Sequence, residues 1–296
     1  MECLQAVPAP LTSMTKDKIR FYNSLILQLM SYYINNCPTA IDKNMIDETV
    51  RDCGVDRERA FSILLGGILD VYDDREFMRS YITPMLSLLD TKDYSSNEYL
   101  KSIRITDSHN DSWQLTSMSY LPYEAFVYNE SVIMEDGRLI PKIGFFDKEY
   151  KFPCVKQNGR EWMLITPNEI ETMKKPIADA FGSVLTYGLG LGYFPFMASK
   201  KKSVESITIV ERDATVIDLF KKHILPQFPN KKKITIVNSD AFEFARTMPK
   251  YDFVFADIWH DASDGVELYK KFKAYERPDV KYSYWIEDTL KYYMSN

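Results

Sequence analysis

The sequence predicts an α/β protein. A doubly wound parallel sheet forms its C-terminal part, and a helical region and a small antiparallel β region precede it. Three observations carry this. From residue 183 onward, short, largely apolar and β-branched runs (183–187, 206–210, 234–237, 253–256) alternate with helical stretches, the pattern of a parallel sheet covered on both faces. Between residues 14 and 89 the apolar residues keep helical spacing instead. Between 100 and 165, aromatic and β-branched residues alternate with polar ones around the turn-forming pairs Asp136-Gly137 and Asn158-Gly159.

Taken in order, residues 1–12 read as a loose leader without the apolar core of a secretory signal. Thr12 or Ser13 is expected to cap a helix from about Met14 to Asn35. Ile19, Tyr22, Ile26, Leu29 and Tyr33 recur along one face of it, and Pro38 stops it. A second helix is expected over Asp42–Cys53, closed by Gly54, and a third from Asp56. A fourth, Arg75–Leu89, contains Pro84, which lacks a backbone donor and should kink or divide it. Residues 1–100 show no polar constellation and read as a module for packing or homo-oligomerisation. In the β region, 101–166, the clearest piece is a hairpin of strands 150–155 and 162–166 around Asn158-Gly159, a pair suited to a type I′ turn. Pro167-Asn168-Glu169 then opens a helix to about Ala180. It is expected to set Glu169, Glu171 and Met173 beside the glycine turn that follows.

The last region, 167–296, is organised by the stretch Val184–Asp213. A strand at 183–187 runs into glycines at every second position, Gly188, Gly190 and Gly192. A short helix from Tyr193 follows, with Pro195 tolerated in its first turn, and a second strand, 206–210, ends on Glu211. Glycines let such a turn take positive φ and let a ligand approach the backbone. A carboxylate at the tip of the next strand accepts the hydroxyls of a ribose. A dinucleotide fingerprint requires Gly-x-Gly-x-x-Gly, but the residue three after Gly190 is Tyr193. The third strand ends near Asp240 and the fourth on Asp257. Four polar features therefore meet at the carboxyl edge of the sheet, where such folds bind ligands. A plain strand-to-helix connection in another α/β protein is the alternative reading of the glycines.

Gly188-Leu189-Gly190-Leu191-Gly192 resembles the first motif of class I S-adenosylmethionine-dependent methyltransferases and the related polyamine synthases. Ile209-Val210-Glu211-Arg212-Asp213 resembles their ribose-binding strand, and Asn238-Ser239-Asp240-Ala241 their adenine loop. Tyr251–Asp257 looks like the strand that ends beside the transferred group. The resemblance covers roughly residues 167–290. It implies a Rossmann-like domain with S-adenosylmethionine as cofactor, held by Gly188, Gly190, Gly192, Glu211, Arg212, Asp240, Ala241 and Asp257. The hairpin-before-sheet order is also similar to the spermidine-synthase branch. There are two departures. Position 186 is Thr where most methyltransferases carry an acid that helps hold the methionine end. After Asp257 there is room for one helix (about Ser263 to Ala274), one strand (Lys281 to Ile286) and a short final helix. A sheet truncated to about five strands follows from that length.

The loop from Asp257 to Gly265 is expected to face the sulfonium. Group transfer needs alignment and, for a protonated acceptor, a base. Asp257 and His260 are the catalytic candidates, Trp259 a candidate aromatic wall, and Asp261 and Asp264 candidates for holding a cationic substrate. The plainer readings are a structural strand end for Asp257, an exposed loop residue for His260 and a helix cap for Asp264. The expected activity is methyl transfer to a small molecule. Aminopropyl transfer from decarboxylated S-adenosylmethionine is one alternative, and a catalytically inactive binding or scaffold protein is another.

Composition narrows the partners. At 296 residues, 45% apolar and a net charge of −5, the chain can bury one large core or two modest ones, and no general affinity for nucleic acid or membrane surfaces is suggested. Lys200–Lys202 and Lys231–Lys233 precede strands and are expected to form a solvated rim at the edge opposite the ligand. Cys3, Cys37, Cys53 and Cys154 contain no Cys-x-x-Cys, suggesting neither a disulfide framework nor a zinc site. With His109, His223 and His260 as the histidines, no metal is expected. No apolar run approaches membrane-spanning length. The expectation is a cytoplasmic protein acting on a small molecule.

Overall fold

The computed structural model describes residues 14–295; the expected leader and the expected caps Thr12 and Ser13 lie outside them. Helices α1 (Lys16–Asn36), α2 (Lys43–Cys53) and α3 (Arg57–Ile68) start from Thr15, Asp42 and Asp56. Each of these side chains accepts a hydrogen bond from a first-turn N–H. Gly54 closes α2 at a φ of 63°. The single helix expected over 75–89 breaks up into α4 (Arg75–Phe77), a π turn (Met78–Ile82), α5 (Thr83–Met85) and a strand, β1 (Leu86–Leu89). Pro84 has no N–H for the preceding turn, so the helical ladder loosens ahead of it. Residues 86–89 satisfy their backbone in a sheet instead.

The chain continues through α6 (Thr91–Ser95), α7 (Glu98–Ser102), β2 (Ser108–Asn110), β3 (Trp113–Tyr120), β4 (Phe126–Ile133), β5 (Leu139–Phe146), β6 (Tyr150–Gln157) and β7 (Arg160–Leu164). The β6–β7 turn has positive φ at both Asn158 and Gly159, 52° and 80°, as a type I′ hairpin requires. Then come α8 (Pro167–Asp179), β8 (Gly182–Tyr187), α9 (Tyr193–Ser199), β9 (Val204–Glu211), α10 (Ala214–His223) and β10 (Ile234–Asn238). The chain closes with α11 (Ala241–Thr247), β11 (Phe253–Ala256), α12 (Ala262–Lys273), β12 (Lys281–Tyr284) and α13 (Glu287–Ser295).

These elements form two compact units. One takes the chain up to Thr91 together with Tyr120–Tyr150. Its sheet, in the order β1-β5-β4, pairs β1 parallel and β4 antiparallel to β5. Strands of the β region pair antiparallel as expected, and residues 86–89, expected to be helical, add a parallel edge to one sheet. Tyr22, Ile26, Tyr33, Phe77 and Tyr81 from the helical segments pack with Phe61 and Phe145 in one core, where Phe61 stacks on Phe145 at 4.1 Å between centroids.

The other unit takes Lys92–Ser119 and the chain from Lys151 onward. It holds a four-stranded sheet, β2-β3-β6-β7, and a five-stranded one, β10-β9-β8-β11-β12. Every pairing in the five-stranded sheet is parallel, so the truncated doubly wound sheet is as expected. Its first and fourth strands, β8 and β11, are neighbours. The strand order therefore reverses between them, and a ligand crevice opens at such a point beyond the carboxyl ends.

The lysine runs are not simply a solvated rim. Lys201 Nζ donates to the carbonyls of Ile177 and Ala180, both at 2.7 Å, and to that of Ala178. A cation thereby closes the C-terminus of α8, where the helix dipole favours it. Lys233 Nζ donates to the Val204 carbonyl at 2.6 Å. Cys37 and Cys154 are free thiols. No helix among the described residues is long and apolar enough to cross a membrane.

Phe61→Ala removes a fully buried ring and should cost about 3–5 kcal/mol. Urea unfolding followed by circular dichroism would show this as a lowered midpoint, and an unchanged midpoint would contradict the stacked core.

Candidate active site

The glycine turn is held from two sides. Gly188, at a φ of 94°, donates its N–H to the Val210 carbonyl at 3.0 Å. A Cβ on it would stand 2.0 Å from the backbone carbonyl oxygen of Asp257, and the Asp257 N–H donates to the Tyr187 carbonyl at 3.0 Å. This glycine is thus required by the close approach of two strand ends. Gly190, at a φ of 47°, lies under Met163 of β7, whose Sδ would be 2.0 Å from an added Cβ. The same sulfur accepts the Leu191 N–H at 3.0 Å. Gly192 starts α9, and its added Cβ would meet Phe220 at 2.5 Å. It is a packing glycine and does not line the cavity.

A cavity of about 540 Å³ opens above the turn. Of the residues expected from sequence, Gly188, Gly190, Glu211, Arg212, Asp240, Ala241, Asp257 and His260 line it. Glu211 accepts the N–H groups of Asp213 at 2.9 Å and Leu189 at 3.3 Å. Burial nonetheless pushes its pKa up, against the pull of these hydrogen bonds. Asp240 Oδ1 caps α11, accepting from Phe242 at 2.8 Å and Glu243 at 3.1 Å, which sets Ala241 beside it at the wall.

In the loop after β11, Asp261 and Asp264 form a capping box for α12. Asp261 accepts the Ser263 N–H at 2.6 Å, and Asp264 accepts the N–H groups of His260 and Asp261 at 3.1 Å each. Both line the cavity, but their oxygens are committed to the backbone, so the helix-cap reading of Asp264 is the one the geometry shows. The His260 ring lies 4.5 Å from that of Trp162. Trp259 is buried in the wall, and its Nε1 has no partner among the described residues.

Two acids are left without such donors. Glu169, in the first turn of α8, is 6% exposed, and its Oε1 is buried with no hydrogen-bond partner. Burial, reinforced by the charge of Asp257, holds its pKa well above the usual carboxylate range. Asp257 is half-buried, and burial pushes its pKa up to about 7. Glu171 and Met173, expected beside Glu169, do not line the cavity. Glu171 pairs with Lys174 at 2.6 Å and Met173 is in the core.

The sequence reading missed the contribution of the hairpin, Trp162 and Met163, and that of Trp285, whose Nε1 donates to Thr172 Oγ1 at 3.0 Å. The available signal was a tryptophan and a methionine placed just before the glycine domain. Taken together, the lining sets Glu161, Glu169, Glu211, Asp240, Asp257, Asp261 and Asp264 against Arg212. Such a cavity suits a cationic ligand, and an acid that ionises near neutral pH suits proton transfer.

Residues 183–277, from the start of β8 to the loop before β12, match the family model of the spermine/spermidine synthase domain. Among solved structures, a spermidine synthase in complex with the transition-state analogue AdoDATO is 21% identical. That alignment covers 36% of this chain and 39% of the other, with a TM-score of 0.31. A spermidine synthase from Thermotoga maritima is 19% identical, covering 45% and 48%, with a TM-score of 0.33. A protein assigned as an O-methyltransferase from Klebsiella pneumoniae is 18% identical, covering 32% and 44%, with a TM-score of 0.26. This chain therefore spans less than half the length of each of these relatives. No curated protein matches the sequence.

Gly188→Ala should destabilise the fold more than Gly190→Ala, because the first meets backbone and the second the end of a flexible thioether. Thermal melts of the two variants test this, and equal losses would contradict it. Asp257 gives a second prediction. Asp ionises near 4 in an unfolded chain and near 7 here, so the folded state binds more protons between those values and loses stability as pH rises through them. Asp257→Asn should therefore raise the melting temperature at pH 8 relative to the parent by more than at pH 4. A parallel pair of melting curves across pH would disprove the shift.

Proposed function

We propose that this chain, whose residues 183–277 match the family model of the spermine/spermidine synthase domain, transfers an alkyl group from a sulfonium nucleoside to an amine. Decarboxylated S-adenosylmethionine is the donor that suits its cavity best. The charge of the lining carries this reading. Glu169 and Asp257 stand in it without side-chain cations, and among the described lining residues Arg212 is the one guanidinium and there is no lysine. S-adenosylmethionine brings a carboxylate on the end where the decarboxylated form brings only an ammonium. Thr186, where most methyltransferases hold that end with an acid, is fully buried.

The residues present fit such a donor. Glu211, oriented by the Leu189 and Asp213 N–H groups, would hold the ribose hydroxyls. Asp240 and Ala241 would meet the adenine edge, and Gly188 and Gly190 would supply the floor. The bound donor supplies an electrophilic carbon beside a positively charged sulfur. The chain's task is to align the acceptor nitrogen and remove its proton. An amine arrives mostly as ammonium. Asp257, when ionised, accepts one proton; the freed nitrogen lone pair forms the C–N bond as the C–S bond breaks and the sulfur keeps that electron pair. Methyl transfer from S-adenosylmethionine would use the same parts, with the methionine carboxylate facing acids.

Turnover with each donor, read by mass spectrometry over a panel of mono- and diamines, tests the proposal. The decarboxylated donor should be used faster, with kcat/KM rising with pH through about 7 as Asp257 ionises. Asp257→Asn should lower kcat by about 10²–10⁴-fold, and Glu211→Ala should weaken donor binding by about tenfold for the loss of a charged hydrogen-bond pair. Faster use of S-adenosylmethionine would reassign the chain to methyl transfer. No turnover with either donor would leave a binding or scaffold protein.

A further inference from the structure

We infer that Glu169 and Asp257, two carboxyl groups of one cavity that no backbone donor or cation claims, together take up a ligand's positive charge in exchange for a proton held when the cavity is empty. The ligand in that statement, a sulfonium or an ammonium, rests on the function proposed above; the pair itself rests on the geometry.

The two acids come from elements far apart in the chain, the first turn of α8 and the loop after β11, and meet at one cavity. They differ from the other acids there. Glu211 and Asp240 each accept two backbone N–H groups, and Asp261 and Asp264 satisfy one another's helix cap. Glu169 makes no ion pair among the described residues, and its Oε1 is buried without a donor. A carboxylate so placed must be met by a counter-charge or carry a proton. The first turn of a helix favours negative charge, but only weakly beside the cost of full burial. Asp257 lies close enough for its charge to raise Glu169 further. Two like charges in one desolvated site do not both ionise readily, so the pair titrates in two steps.

The surroundings leave this unchanged. Tyr193, which feels the Glu169 charge, is buried, and its hydroxyl accepts the Asn97 Nδ2 donor at 2.8 Å. Arg212 follows Glu211 at the end of β9. His260 rests against Trp162, and Glu161 stands on β7 beside that ring. In the empty cavity the pair therefore holds a proton at pH values where an ordinary carboxyl has lost it. Arrival of a cation lets both carboxylates ionise, and one proton leaves to solvent. Cations bind more tightly as pH rises through this range, and an uncharged nucleoside gains nothing.

Infrared titration of protonated carboxyl groups in the ligand-free protein tests the pair without turnover. The parent should show two carboxyl steps above the ordinary carboxylate range, and Glu169→Gln should show one. In Asp257→Asn the Glu169 proton should leave at lower pH than in the parent, because the repulsion is gone. A Glu169 step inside the ordinary carboxylate range, or one at the same pH with and without Asp257, overturns the pair. Calorimetry in buffers of different ionisation enthalpy then tests the exchange. Decarboxylated S-adenosylmethionine should release more protons from the parent than from Glu169→Gln, in which Asp257 alone is left to release one. The uncharged thioether 5′-methylthioadenosine should release none from either. Equal release from parent and Glu169→Gln overturns the exchange. If decarboxylated S-adenosylmethionine does not bind, the proposed function fails, while the ligand-free titration still decides the pair.

Discussion

The candidate site depends on the close approach of two strand ends. At the carboxyl edge of β8 the chain turns at Gly188, and the Asp257 carbonyl oxygen occupies the space where any other residue would carry its Cβ. The Asp257 N–H is spent on the Tyr187 carbonyl, so the loop after β11 is pinned by its backbone and the Asp257 side chain is left free. This contact fixes the cavity floor and sets Asp257 at its wall, where burial raises its pKa.

Much of this was legible before any coordinates. The four largely apolar runs, their alternation with helices, and the acids closing three of them specify a parallel sheet with a polar carboxyl edge, because such burial patterns have few other solutions. The caps of α2 and α3 were readable as Asp42 and Asp56, since a short acceptor before an amphipathic run satisfies free N–H groups. What periodicity cannot express was missed. Residues 86–89 are apolar at spacings compatible with either helix or strand, and the decision came from a partner strand about sixty residues away. Lys201 looked like one member of a solvated run, but the end of α8 needed a cation there.

The site was legible unevenly for a related reason. Gly188, Glu211, Asp240 and Asp257 announce themselves by standing where strands end. Glu169 stands in the first turn of a helix, where an acid is ordinary; only its burial without a partner makes it unusual, and burial of one side chain is a three-dimensional property. Gly192 shows the converse. It belongs to the motif by spacing, yet its freedom serves the packing of α9 against Phe220 and Phe228. Asp261 and Asp264 lie beside the chemistry and are consumed by a helix start. A carboxylate count from sequence overstates the charge available to a ligand, because an acid holding backbone N–H groups has already spent its oxygens.

That distinction bears on the donor. Position 186 lacks an acid and its threonine is sealed in the core, while Leu191 in the glycine turn is buried as well. The space over Gly190 holds the Met163 thioether, which also takes the Leu191 N–H. The part of the turn nearest the hairpin is thus furnished with apolar groups and a soft acceptor, and it offers neither a cation for a carboxylate nor a free backbone donor at residue 191. The unspent charge is concentrated at Glu169 and Asp257. On the proposed reading, a donor stripped of its carboxylate loses nothing at such a wall, and its remaining ammonium or the acceptor's amine finds the two acids that no backbone group has claimed. A donor that kept the carboxylate would have to desolvate it beside like charge, with Arg212 the one guanidinium among the described lining residues to meet it.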